Sequence, residues 1–191
     1  MASPPDRIEI ATALYGAWRL ICGDAAGGAY FRAGREGFWS AAWAIVLVIP
    51  AHLLTLAVHI NDGAQPSFGL DDTIREAEIL AIGWFGYALL AYYLMQNFGW
   101  PARFDGYMAA YFWTTVPLSY AYMALTLIRA TGLLPSVLEN LLALGFLVLM
   151  LWSRWFIARV GLGIKGREAV AVVVGTVMFD WMVGTVLSPL L

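Results

Sequence analysis

AVAVVVGTVMFDWMVGTVLSPLL, residues 169–191, decides the fold. A helix needs about 20 apolar residues to cross the roughly 30 Å of hydrocarbon in a bilayer, and this run is long enough. It carries one acid, Asp180. Placing a charge at such depth costs about 2.5 to 3.5 kcal/mol, while each Val, Leu or Phe returns about 0.3 to 0.6 kcal/mol. The run therefore inserts, but Asp180, roughly 15 Å from its inner end at 1.5 Å per residue, is expected to point into a bundle or to be protonated.

Working outward, four more stretches reach the spanning length: 38–60, 78–98, 108–128 and 137–156. The connectors between them hold turn residues, and only NDGAQPSFGLDD is long. Composition agrees, with 61% hydrophobic and 13% charged residues against about 25% charged in a soluble chain. Nine Trp, nine Tyr and ten Phe supply amphipathic rings of the kind that collect at bilayer interfaces. A net charge of −2 excludes nucleic acid as a partner, since phosphate neutralisation needs a basic face. Cys22 is the single cysteine and forms no internal disulfide. The expected fold class is all-α: a polytopic membrane protein of five spans (38–60, 78–98, 108–128, 137–156, 169–191) in a domain 37–191, behind a cytoplasmic segment 1–36.

Orientation follows from the basic residues, which flanking segments retain in the cytoplasm. With the N-terminus inside, the inner segments hold nine Lys or Arg and the outer ones hold Arg75 and Arg129. The expectation is N-in and C-out, in a bacterial inner membrane, with no cleavable signal peptide. On a helical wheel Ile10, Ala11, Leu14, Tyr15, Trp18 and Ile21 share an arc opposite Glu9, Thr12 and Arg19. A short amphipathic helix on the inner surface is expected there, packed as a flap under the bundle, before DAAGG breaks it.

The polar residues inside the spans are the candidates for function. The partner expected for Asp180 on depth is His52, with hydroxyls of the third span as rivals. Pro50 and Pro117 fall near mid-span, and each frees a backbone carbonyl that needs protein or a wet cavity. Pro117 with Thr114, Thr115, Ser119 and Tyr120 is expected to line such a cavity. His52 and His59 are about 10.5 Å apart along a helix axis, too far to share one metal ion, so no metal or cofactor is expected. GLGIKG, residues 161–166, matches a dinucleotide-binding spacing, but that turn needs a strand before it. A connector between spans is expected instead, whose neighbours Arg154, Arg159, Lys165 and Arg167 are candidate contacts for lipid headgroups. NDG and LDD, in the long outer connector, read as a turn and a helix cap. Protease, hydrolase and Cys–His nucleophile signatures are missing, and a non-enzyme is expected.

FDGYMAAYFWTTVPLSYAY, residues 104–122, and LYGAW, residues 14–18, on a plan of five spans with an inner N-terminal helix, resemble the Yip family of small membrane proteins and its bacterial relatives. The acid that precedes LYG in eukaryotic members is Ala13 here, and the proline that follows it is Ala17. The resemblance implies membrane organisation or partner binding. The leading expectation is thus a non-enzymatic scaffold or partner-binding subunit, working with membrane lipids and a protein partner or a second copy. The alternative is a small proton-linked transporter or permeability factor using Asp180 and the cavity near Pro117.

Overall fold

A computed structural model describes residues 4–61 and 70–187. Among the described residues every regular element is helical: α1 (Arg7–Ile21), α2 (Gly34–Ala42), α3 (Ala44–Asn61), α4 (Leu70–Ala81), α5 (Tyr87–Phe98), α6 (Phe104–Ala130), α7 (Ser136–Leu162) and α8 (Gly166–Met182). A π-helical turn, Ile82–Gly86, carries α4 into α5 without a break. Four helices are long and apolar enough to cross a membrane: Gly34–Ile60, Ile74–Phe98, Ser136–Leu162 and Gly166–Thr185. This is the architecture of a multi-pass helical membrane protein. The first of them is interrupted at Trp43, between α2 and α3. Residues 62–69 of the outer connector, with two of the three residues of NDG, lie outside the described residues, as do 188–191, whereas LDD opens α4 at Leu70.

The stretch expected as the third span, 108–128, lies in α6, which is long enough but is not among the four sufficiently apolar helices. Its place in the bundle supplies the reason. α6 packs against α1, α2, α3, α5 and α7, and Tyr107 to Thr114 are buried without interruption around its whole circumference. A helix enclosed by other helices meets protein instead of lipid, so rings and hydroxyls can replace aliphatic side chains. Trp84 of the π turn stacks on Phe112 at 4.7 Å between centroids, and Phe38 of α2 meets the same ring.

The N-terminal segment forms a flap against this core. Asp6 caps α1 by accepting from the Glu9 amide at 2.7 Å, a bond that satisfies one of the helix's unpaired first-turn donors. Glu9 in turn holds Arg32 at 3.0 Å and receives the Ser40 hydroxyl, tying α1 to α2. The expected apolar arc divides in two. Ile10, Leu14 and Ile21 turn toward the core, whereas Ala11, Tyr15 and Trp18 are exposed. The face that meets the bundle is instead made of Ala13, Ala17 and Leu20, while Gly16 packs on the turn that follows the helix. Small side chains won that face because backbones can then approach closely. A Cβ on Gly16 would stand 2.7 Å from the Gly27 carbonyl oxygen, and one on Gly27 would stand 2.5 Å from that of Gly16.

Candidate polar site in the helix bundle

Between α3, α6 and α7 lies a cavity of about 320 Å³ lined by His52, Thr55, Tyr111, Thr114, Thr115, Ser119 and Arg154 among apolar side chains. Its position follows from the helices around it. Pro50 sits inside α3 and Pro117 inside α6. Below Pro117, α6 is packed on all sides, and above it Tyr120, Tyr122, Leu127 and Ile128 are exposed. The cavity occupies this change from closed to open packing.

Four of the six residues expected in a polar site are brought together there: His52, Thr114, Thr115 and Ser119. Tyr120 is not, since it is 40% exposed and absent from the lining; one residue on from Ser119, it is turned by about 100° to another face of the helix. The hydroxyls of Thr55, Thr114 and Thr115 donate to carbonyls of their own helices, on Ala51, on Ala110 and Tyr111, and on Tyr111. Their oxygens remain available as acceptors. Arg154 is the one fixed cation in the lining.

Asp180 finds a partner other than the one expected. Arg154 Nη1 donates to its Oδ2 at 2.6 Å, joining α7 to α8. His52 lies 3.4 Å from Glu76 of α4 instead, at the edge of hydrogen-bond range, and its Nε2 makes no good hydrogen bond. The depth argument erred on the two counterions. Arg154 had been assigned to the inner rim as a headgroup contact, yet its side chain is only 17% exposed and its guanidinium stands 5.9 Å from the Tyr111 ring centre. Glu76 precedes the second span expected at 78–98, yet α4 is already helical from Leu70, so Glu76 stands on the helix about 9 Å from its start. Asp180 itself is 44% exposed, so it lies at the edge of the bundle with Arg154 reaching to it.

A second polar cluster, missed in the sequence, pins three helices. The Tyr87 and Tyr107 hydroxyls are 2.6 Å apart, and Thr176 Oγ1 lies 2.9 Å from Tyr87 Oη, so α5, α6 and α8 converge on one buried point. The rings of Tyr87 and Tyr111 pack at 4.6 Å, which puts this cluster beside the Arg154 site.

At the α7–α8 turn, GLGIKG is a helix-to-helix connector. Gly163 takes a left-handed conformation, φ 59°, at the end of α7, where Arg103 donates to the Leu162 carbonyl. Gly161 lets α7 lie on α6, since a Cβ there would come 3.3 Å from Tyr107 Cα. Glu168 caps α8 by accepting from the Lys165 amide at 2.9 Å. Arg159, Lys165 and Arg167 are exposed around this turn, with Arg159 5.4 Å from the Trp155 ring centre. Among the described residues no group of three or more His, Cys, Asp or Glu could hold a metal ion. No family model, curated protein or solved structure matches the chain.

Proposed function

We infer that the chain is a five-span protein, N-in and C-out, of a bacterial inner membrane, and that it is a small proton-linked transporter or permeability factor. α6 supplies the fifth crossing: its 27 residues extend about 40 Å, and it sits among the four apolar helices. The basic residues, nine inner against two outer, support the orientation. The observation that carries the function is the cavity between α3, α6 and α7, whose lining includes Arg154, paired to Asp180, and His52, close to Glu76. Ionisable groups inside a membrane domain are costly and mark solute and proton paths. Here two residues of one solute-sized space, Arg154 and His52, each have a carboxylate behind them. The exposed Arg159, Lys165 and Arg167 would meet lipid headgroups on the inner side.

The test is proteoliposomes holding a pH-sensitive dye, challenged with a panel of small organic solutes. A solute-dependent proton flux is expected in the wild type, and its loss in Asp180→Asn with an unchanged melting profile. Flux that is equal in the variant, or absent with every solute, overturns the reading.

The scaffold reading keeps one specific support, the exposed Ile8, Tyr15 and Trp18 on the outward side of α1. That side would bind a protein partner or a second copy, as kinship with the Yip family would imply. Mild detergent extraction would then recover a stoichiometric complex that Trp18→Ser dissolves. Recovery of the same monomer with both chains would sink it.

A further inference from the structure

The cavity offers a ligand one strong donor group. A guanidinium has five N–H donors, and Asp180 accepts from one of the Arg154 nitrogens. The threonine hydroxyls are committed to their own helices; His52, Tyr111, Ser119 and Tyr122 add neutral polar groups, and the rest of the wall is apolar, with Val48, Leu118 and Phe146 in it. A volume of about 320 Å³ is at the small end for organic ligands, which occupy roughly 300 to 1,000 Å³. A planar, bidentate anion on a short apolar body matches this set, because carboxylate geometry fits the guanidinium fork.

Charge then sets a condition. Arg154 and Asp180 together are neutral, so a second carboxylate would leave one uncompensated negative charge in a low-dielectric bundle, which is strongly unfavourable. Neutrality returns if one proton enters with the anion. Resting on the solute-cavity reading above, we propose that the cavity binds a small organic monocarboxylate by exchange. The ligand takes the place of Asp180 on Arg154, and Asp180 takes up one proton. One anion and one proton enter, so the site's charge does not change. Asp180 is the acceptor of that proton because it is the group that loses its counterion, and its 44% exposure leaves it reachable. The other ionisable groups nearby are accounted for. Tyr87 of α5 and Tyr111 of α6 lie near the pair, and in the same lining His52 of α3 faces Glu76 of α4.

The probes are benzoate and its neutral isostere benzamide, titrated calorimetrically into the full-length protein in detergent. Runs at one pH in two buffers of different ionisation enthalpy count the protons taken up. Wild type is expected to bind benzoate with close to one proton, to bind it more weakly as pH rises, and to ignore benzamide. Asp180→Asn removes the competitor, so benzoate should bind more tightly and independently of pH. Ser119→Leu, which fills the cavity while leaving the ion pair, should abolish binding. Uptake of no proton, equal binding of benzamide, absence of benzoate binding, or proton uptake that survives Asp180→Asn and vanishes in His52→Gln would each overturn the exchange. Benzoate binding with a proton but no flux in vesicles removes the transporter reading and leaves the site. Proton-linked flux of another solute without carboxylate binding does the reverse.

Discussion

Two arginine–aspartate pairs in this chain have the same chemistry and different consequences. Arg19 and Asp24 are five residues apart, and the Nε of Arg19 donates at 2.7 Å to an acid that also caps the following turn through the Ala26 amide. Arg154 and Asp180 are 26 residues apart, and their 2.6 Å bond joins two candidate spans. Exposed pairs of the first kind contribute little, because water screens them and ordering two side chains costs entropy. A pair among helices in a bilayer has no water to replace a lost partner. The first pair finishes a local fold, whereas the second links α7 to α8.

The sharpest way to break the comparison is Arg154→Met. It leaves Asp180 without a counterion; Arg154 is largely enclosed but Asp180 is 44% exposed, so the cost falls below the roughly 3 to 5 kcal/mol of a fully buried pair and above that of a surface pair. A clear fall in melting temperature in detergent is expected. Arg154→Met with Asp180→Leu should recover most of that loss, since an apolar replacement of both partners is often neutral. If the double variant is no more stable than the single one, the pair is not what couples α7 to α8. Arg19→Met should leave the bundle's melting almost unchanged.

A smaller effect loosens the flap from within without removing either pair. Gly16 of α1 faces Gly27 and Tyr30 of the turn that follows it, with no room for a Cβ. Gly16→Leu is expected to cost about 1 to 3 kcal/mol through forced overpacking and to push α1 away from that turn. Cys22, exposed at the end of α1, reports local changes through its rate of thiol labelling. Limited proteolysis should release the first helix while the spanning helices melt as before. If α1 stays resistant, its docking depends on Glu9, Arg32 and Ser40 more than on the glycine contact.

How far the site was legible follows from the same contrast. Hydropathy needs only composition in a window, so four spanning helices could be read directly. α6 differs because its surroundings changed what it had to be: enclosed by neighbours, it carries Tyr107, Tyr111, Thr114 and Thr115 where a lipid-facing helix would carry Leu. Thr114, Thr115 and Ser119 could be grouped because they flank one proline on one helix. Arg154–Asp180 and His52–Glu76 could not, since each joins separate helices and depends on how far those helices extend past their apolar windows. α7 continues to Leu162, six residues beyond the end expected at Phe156, which draws Arg154 into the bundle. The flap was legible as a helix, but not in its facing, because a wheel ranks side chains by hydrophobicity and misses Gly16 and Ala17, which are buried for their size.

The smallest effect concerns acid. Asp24 is held below the usual carboxylate range, first by the Ala26 amide it accepts from and then by Arg19. A depressed carboxyl contributes stability that is complete above its unfolded value and is lost as pH falls through the folded one. The window therefore lies below about pH 4, since an unperturbed aspartate titrates near 3.9. Within it, the Asp24 turn should loosen and labelling of its neighbour Cys22 should quicken slightly, with the bundle intact. Asp24→Asn should show the same small increase at neutral pH, because an amide oxygen still caps Ala26 but no longer carries a charge for Arg19. If acid instead detaches the whole of α1 before any local change near Cys22, the Asp24 turn is not the acid-sensitive part of the flap.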